Sequence, residues 1–254
     1  MGNLFGLFRA LIALGGCVAS LTVASAGTIA EARSAALGTT LDLDNVRVIS
    51  TYDLVNSSLT RSIQVDDGTG AMTISGDNAH IAGLLDGKGT GDRISLRGKT
   101  QNQFGLFQMI TPFTARGSEL TGEVISPVSV SAADFADASA TAEGLESRVV
   151  QLRQAKFVQK GQFAGLTDYS VVTAFGTVSV RVPSNFLDVV AQAIPAGEVN
   201  LTGIFYQFDQ NAPYDSGYQI YLRSTTDIEA VPEPTTGLAL LAGIAAWARR
   251  RRAA

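Results

Sequence analysis

The chain is poor in the side chains that most often carry chemistry, since its 254 residues include only one cysteine, Cys17, and one histidine, His80. One cysteine cannot form an intramolecular disulfide or a thiolate metal cluster. A Ser-His-Asp system would have His80 as its only base, and no nucleophile-elbow pattern is present. We therefore expect no catalytic residue, no metal ligand and no cofactor-binding residue.

Acidic residues that stand close together have structural explanations. Asp66 and Asp67 lie before a glycine between two strand patterns, which is typical of a hairpin turn. Asp42 and Asp44 alternate with leucines, so they predict the solvated face of a strand. The segment that begins at Asp209 starts like a calcium loop but lacks the glycine that such a loop requires. None of the three segments predicts a metal site.

The first 26 residues have the features of a secretory signal peptide. Arg9 precedes an apolar run over residues 10–23, and Ala24 and Ala26 supply a small-x-small cleavage site. This pattern predicts the Sec translocon and signal peptidase as partners. A lipoprotein signal with an acylated Cys17 is the alternative. It is disfavoured because the chain stays apolar after Cys17 instead of becoming a polar tether.

The last two dozen residues combine three features in a fixed order. The tripeptide Pro232-Glu233-Pro234 is held extended by its prolines. The apolar run over residues 237–248 would reach about 18 Å as a helix, against a hydrocarbon core of roughly 30 Å, so it predicts a transient anchor. Trp247 is expected near the interface. Four arginines hold the far end in the cytoplasm by the positive-inside effect: Arg249, Arg250, Arg251 and Arg252.

This arrangement resembles the C-terminal sorting signal of the PEP-CTERM family, which exosortases recognise at the bacterial inner membrane. The resemblance implies an exosortase as partner and processing at Pro232 to Pro234. It also implies transient inner-membrane anchoring, followed by delivery to the cell surface or extracellular matrix of a Gram-negative bacterium. The alternative, a buried C-terminal helix, would leave four consecutive arginines without partners.

Removal of both signals changes the charge of the protein. The whole chain carries 19 basic and 23 acidic residues; Arg9, Arg249 to Arg252 and Glu233 lie in the signals, which leaves 14 basic and 22 acidic residues. The exported body therefore has a net charge of about −8, which disfavours nucleic acid as a partner because no basic face releases its counterions.

Internal similarity divides the remaining residues into two units. Thr28 and Ser131 each begin a capping-box pattern, and Gly98 matches Gly203 at a spacing of 105 residues. We therefore predict four segments: a signal peptide over residues 1–26, one domain over 27–126, a second over 127–230 and the sorting signal over 231–254.

Each unit predicts five strands by its alternating pattern. The predicted strands cover residues 41–44, 62–65, 71–74, 93–96 and 104–110, then 149–152, 169–173, 177–182, 199–202 and 219–222. A short helical pattern lies between the third and fourth strands of each unit. This order is that of the OB fold, and the segment from Gly91 to Gly98 resembles the OB domains of many exported bacterial proteins.

The expected fold class is therefore all-β: two tandem five-stranded OB-like barrels, each preceded by a short helix, between an N-terminal signal helix and a C-terminal hydrophobic helix. A plain β-sandwich is the alternative. OB domains commonly bind oligomers by aromatic stacking, so Phe104, Phe107, Tyr206 and Phe208 are candidate stacking residues; alternatively, these rings fill the barrel cores.

Three functions follow. The preferred one is a non-enzymatic binding or structural protein of the cell surface or exopolysaccharide matrix. The second is an OB-fold binding module for extracellular glycan or single-stranded nucleic acid, with glycan favoured because neutral sugars stack without positive charge. The third is a secreted hydrolase accessory to the matrix, which the scarcity of histidine disfavours.

Overall fold

The computed structural model describes residues 27–51, 60–183 and 188–232, in which twelve strands and three α-helices are found. The helices are α1 Ile29–Ser34, α2 Asn78–Leu85 and α3 Ala140–Leu145. The strands are β1 Thr40–Ser50, β2 Thr60–Asp66, β3 Ala71–Asp77, β4 Arg93–Gln103, β5 Leu106–Glu119, β6 Val128–Val130, β7 Val149–Phe157, β8 Thr167–Thr173, β9 Gly176–Val182, β10 Val199–Gln207, β11 Tyr218–Tyr221 and β12 Ile228–Ala230.

The first five strands form a closed barrel, barrel 1, in the order β1-β2-β3-β5-β4, and β4 pairs with β1 to close it. All neighbours are antiparallel except β3 and β5, which run parallel. The connection between β3 and β4 contains α2. Asp77 caps this helix by accepting a hydrogen bond from the His80 amide, and Ile81 and Leu84 are buried in the barrel core.

The second unit repeats this topology as barrel 2. Strands β7, β8, β9, β11 and β10 follow one another, β10 pairs with β7, and β9 runs parallel to β11. Two short strands that the sequence did not predict are added: β6 beside β7 and β12 beside β10. The predicted fold class is confirmed, because all ten predicted core strands are present and each barrel follows a short helix.

The duplication extends to irregularities of the first strand in each barrel. Asn45 on β1 and Gln154 on β7 have positive φ angles, 56° and 53°, at interruptions of the strand register. The Asn45 amide donates to Ser95 Oγ at 2.8 Å, and the Gln154 amide donates to Asn200 Oδ1 at 3.3 Å. Both barrels therefore bend their first strand by the same bulge.

The helices that precede the barrels differ from each other. Thr28 forms the predicted capping box with Glu31 at the start of α1. Ser131 instead begins a single 3-10 turn, in which the carboxylate of Asp134 accepts hydrogen bonds from the Ser131 amide and hydroxyl. The α-helix that directly precedes barrel 2 is α3, which the sequence did not predict.

Several predicted features lie outside the described residues: the signal helix with Ala24 and Ala26, the C-terminal hydrophobic helix, and most of the sorting signal. The predicted sorting-signal residues that lie outside the described part are Glu233, Pro234, Trp247, Arg249, Arg250, Arg251 and Arg252. Part of the predicted helix at residues 183–191 is likewise undescribed. Within residues 27–51, 60–183 and 188–232, no helix has the length and hydrophobicity that a membrane span needs.

The two barrels pack against each other through an apolar cluster. It contains three side chains of barrel 1 and four of barrel 2, all buried: Ile49, Ala71 and Leu106, with Val149, Ile204, Tyr206 and Tyr221. An ion pair joins the barrels beside this cluster, with Arg33 Nη1 2.9 Å from Glu146 Oε2. Thr73 and Ser147 also share a hydrogen bond of 2.8 Å across the interface.

Candidate functional site

A cleft with a volume of about 360 Å³ opens where the two barrels meet. This size lies within the roughly 300–1,000 Å³ that small-molecule sites occupy. Both barrels contribute walls: Gln103, Phe104, Leu106 and Gln108 from barrel 1, and Leu166, Asp168, Arg181, Tyr206, Phe208, Gln219 and Tyr221 from barrel 2. We refer to this site as the inter-barrel cleft.

The β4–β5 hairpin places Phe104 at the rim of the cleft. Phe104 and Gly105 form its two-residue loop with φ angles of 54° and 90°, and Gln103 pairs with Leu106 on either side. Two positive φ angles define a type I′ turn, in which asparagine, aspartate or glycine is usual at the first position. A phenylalanine there is a conformational outlier, and such outliers cluster at functional sites.

Leu166 is a second apolar residue with this conformation. Its φ angle is 53°, and its side chain is exposed at the opposite wall of the cleft, just before β8. A large residue with positive φ costs on the order of 1–3 kcal/mol. The rim therefore holds two residues, Phe104 and Leu166, that have a strained backbone conformation. Their apolar side chains are exposed and only partly packed against the protein.

The end of β10 fixes the other side of the aromatic rim. The Asp209 amide donates to the Phe104 carbonyl at 2.7 Å, and the rings of Phe104 and Phe208 are 5.3 Å apart. Gly105 makes this approach possible, because a Cβ atom there would collide with the Gln207 side chain. The two rings are 45% and 43% exposed, so they present apolar surface to solvent from a rigid backbone.

The floor of the cleft is formed by two tyrosines. The rings of Tyr206 and Tyr221 are 4.2 Å apart, and both residues are less than a tenth exposed. Burial raises the pKa of both phenols. Each phenol therefore stays neutral at pH 7 and keeps its hydrogen-bonding hydroxyl group.

The charged groups of the cleft neutralise each other. Arg181 Nη1 lies 2.8 Å from Asp168 Oδ1, since the two residues are register partners on β9 and β8. The Nε atom of Arg181 is buried and has no hydrogen-bond partner among the described residues. Gln219, on the neighbouring strand β11, also lines the cleft. The cleft thus combines polar side chains with no net charge.

The face that OB barrels commonly use for ligands is covered in barrel 1. Gln64 on β2 and Thr73 on β3 lie on the outer surface of that barrel, yet both are fully buried. Thr73 binds Ser147 of barrel 2, and Ala71 belongs to the apolar cluster between the barrels. The packing of the two barrels therefore covers this face, and the exposed aromatic ring next to the interface is that of Phe104, at the tip of the β4–β5 hairpin.

The structure brings together three of the four predicted stacking residues, namely Phe104, Tyr206 and Phe208. Phe107 requires a correction. It is 7% exposed in the core of barrel 1, and the Arg33 guanidinium lies 5.3 Å from its ring centroid. Phe104 lies in the turn before β5, whereas Phe107 is the second residue of β5 and faces the barrel interior.

The polar groups of the cleft were missed because they come from three separate strands. One signal was available: residues 169–173 and 177–182 predict a hairpin, and in its observed register the next pair is Asp168 and Arg181. No local pattern indicates that Gln219 lies next to them. Its position depends on the parallel pairing of β9 with β11, in which Gln219 is opposite Ser179.

The remaining candidate residues lie elsewhere. His80 sits at the start of α2 with Nδ1 2.6 Å from Asp77 Oδ2, and its ring packs edge-on against Phe113. The Asp209 carboxylate holds its own loop by accepting hydrogen bonds from the amide and hydroxyl of Ser216 and from the Asn211 amide. Neither residue lines the inter-barrel cleft.

Comparison with known proteins identifies a sorting motif. The sequence profile of the PEP-CTERM protein-sorting motif matches residues 230–252. No curated protein is significantly similar in sequence. Among solved structures, a murine DNA-binding protein bound to double-stranded DNA aligns with a TM-score of 0.42 and 12% identity, over 77% of this chain and 97% of that chain.

A second solved structure, the Ifi202 HINa domain in complex with a 20-base-pair double-stranded DNA, aligns with a TM-score of 0.37 and 10% identity. The alignment covers 73% of this chain and 92% of that chain.

Proposed function

We propose that this chain, which carries a PEP-CTERM sorting motif, is a non-enzymatic protein of the cell surface or exopolysaccharide matrix that binds a neutral oligosaccharide in the inter-barrel cleft. The motif at residues 230–252 marks the chain as an exported protein that an exosortase processes. Entry through the Sec translocon, removal of residues 1–26 by signal peptidase and transient anchoring in the inner membrane complete the proposed route.

The observation that supports the ligand class is the combination of exposed rings and uncharged polar side chains in the cleft. Phe104 and Phe208 offer flat apolar surface, on which the carbon-bound hydrogens of a sugar ring can pack. The side-chain amides of Gln103 and Gln219 line the cleft, and each can both donate and accept hydrogen bonds. Sugar hydroxyl groups both donate and accept hydrogen bonds, so they match this set.

The charge of the cleft favours a neutral ligand over nucleic acid. Asp168 cancels the charge of Arg181, and no other charged residue lines the cleft among the described residues. The body as a whole is acidic, at about −8. A phosphate backbone would meet no counter-charge, whereas the affinity of nucleic-acid-binding proteins depends mainly on lysine and arginine contacts to phosphate.

Equilibrium binding tests this proposal. The protein spanning residues 27–231 is titrated with neutral oligosaccharides released from the exopolysaccharide of the producing cells, and with single-stranded DNA of similar length. We expect saturable oligosaccharide binding that changes little between 50 and about 300 mM salt, because no ion pair to the ligand is formed. Binding of DNA alone, with a steep decrease as salt rises, would contradict the proposal.

Deletion of residues 232–252 tests the route of delivery. The truncated chain lacks the tripeptide, the apolar run and the arginines, so we expect no exosortase-dependent change of mass and release into the periplasm. Mass spectrometry of fractionated cells measures both. A truncated chain that reaches the cell surface with the mass of the processed wild type would contradict an exosortase-dependent route.

A further inference from the structure

We propose that β12 is a latch that must separate from β10 before the exosortase can engage the sorting motif. This proposal rests on the exosortase processing described above. The motif match begins at residue 230, whereas β12 extends to Ala230. The next amide, that of Val231, donates to the Glu198 carbonyl at 2.9 Å. The first two residues of the motif are therefore bound to barrel 2 in the folded protein.

Pairing with β10 and binding to an enzyme compete for the same groups. The backbone N–H and C=O groups of residues 228–231 that face β10 are already used in its ladder, in which Asn200 is opposite Glu229 and Leu201 is opposite Ile228. A peptidase that binds an extended substrate needs such groups free. Folding of barrel 2 up to Val231 also leaves no spacer before Pro232.

The latch can open without unfolding the barrel. Closure of barrel 2 depends on the pairing of β10 with β7, which includes Val199 opposite Ala155 and Leu201 opposite Leu152. Strand β12 lies on the other side of β10 and contributes only three residues, of which Glu229 and Ala230 are exposed. Its separation withdraws one partly buried side chain, that of Ile228, from the edge of the barrel 2 core, so the opening resembles the low-stability fluctuations of a strand end.

The segment before β12 sets the limit of the opening. Asp227 is buried, with 4% of its surface exposed, and its carboxylate accepts hydrogen bonds from the backbone amide, Nε and Nη2 of Arg223. The chain is therefore fixed up to Asp227. Release of residues 228–231 would add a reach of about 13 Å between the barrel and the motif, at 3.3 Å per extended residue.

A disulfide staple across the latch tests the proposal in the full-length precursor, in cells that contain the exosortase. Asn200 and Glu229 are register partners, and Asn200 Nδ2 lies 3.4 Å from Glu229 Oε2. Such antiparallel partners have Cα separations of about 4.5–5.5 Å, inside the range for a disulfide. The body contains no other cysteine. The matched control is Ser170→Cys with Ser179→Cys, a partner pair on β8 and β9.

We expect the Asn200→Cys/Glu229→Cys precursor to be processed at least about 10-fold more slowly than the control pair, and a membrane-permeable thiol to restore its rate. Insertion before Pro232 of six glycine and serine residues followed by a second Ala-Val pair should also restore processing of the oxidised precursor, because the motif then no longer shares residues with β12. Pulse-chase labelling with non-reducing gels measures these rates.

Two results would overturn the latch: processing of the oxidised precursor at the rate of the control, or a block that the insertion does not relieve. The second result would show that the block is not caused by the residues that the motif shares with β12. If instead the wild-type chain is never shortened in exosortase-containing cells, the proposed route of delivery fails, which distinguishes that failure from a failure of the latch alone.

Discussion

Replacement of Arg33 by alanine is expected to lower the free energy of unfolding by about 3–5 kcal/mol at pH 8, the usual effect of removing one partner of a buried ion pair. The Glu146 side chain is fully buried, and Arg33 Nη1, 2.9 Å away, is its charged partner across the interface. Arg33 also donates to the Ala71 carbonyl and lies against the Phe107 ring. Urea denaturation measures the loss.

The effect of Arg33→Ala should depend on pH. Burial raises the pKa of the Glu146 carboxyl from 4.5 to about 7; the charge of Arg33 opposes this increase and that of Glu143 adds to it. Between about pH 4.5 and 7 the folded protein therefore holds a proton that the unfolded chain has lost. The contribution of this group to stability is fully present below pH 4.5 and is lost as the pH rises through 7.

Three further variants isolate the cause. At pH 5 the loss in Arg33→Ala should be smaller, because Glu146 is then protonated. At pH 8 the additional substitution Glu146→Gln should recover most of the stability. Arg116→Ala removes ion pairs of the half-exposed Arg116 with Asp44 and Asp42, and Asp42 keeps Arg97 as a partner, so stability should change by less than about 1 kcal/mol. An equal loss in Arg33→Ala at pH 5 and pH 8 would show that an unpaired carboxylate is not responsible.

Replacement of both Phe104 and Phe208 by alanine is expected to weaken oligosaccharide binding by at least about 10-fold, since complete burial of one Phe side chain is worth about 1.5–3 kcal/mol. Both rings are more than two-fifths exposed, so their removal should change the free energy of unfolding little. Isothermal titration calorimetry measures the affinity, and urea denaturation of the same samples measures the stability.

Phe175→Ala is the matched control. Phe175 is 80% exposed in the loop between β8 and β9 and does not line the cleft. It tests whether any exposed ring contributes to binding. We expect wild-type affinity for this variant, and an equal loss in Phe175→Ala and in the double variant would contradict a role for the cleft.

Local patterns were sufficient to predict the barrels. Alternation along each strand and glycine-containing turns are encoded within a few residues of one another, and the repeat that relates Gly98 to Gly203 shows the same local patterns twice. Long-range pairing was not predictable in this way. Strand β12 has three residues, of which two are exposed, so it lacks the apolar alternation that marks a strand; its existence depends on the free side of β10.

The site was predicted only in part for the same reason. The aromatic residues near 104 and 206 stand out in the sequence, and the turn at Phe104-Gly105 explains why one ring of that segment points outward while Phe107 points inward. The polar groups of the cleft depend on how two barrels pack together. Neither the burial of Glu146 nor the unpaired Nε atom of Arg181 has a local sequence signal.

An NMR titration tests most directly whether the inter-barrel cleft is the ligand site. The ¹⁵N-labelled protein spanning residues 27–231 is titrated with the neutral oligosaccharide, and the amide shifts are followed residue by residue. We expect the largest changes at Phe104, Leu166, Phe208 and Gln219, which come from both barrels, and none at His80. Changes confined to the surface around His80, or to one barrel away from the cleft, would contradict the account.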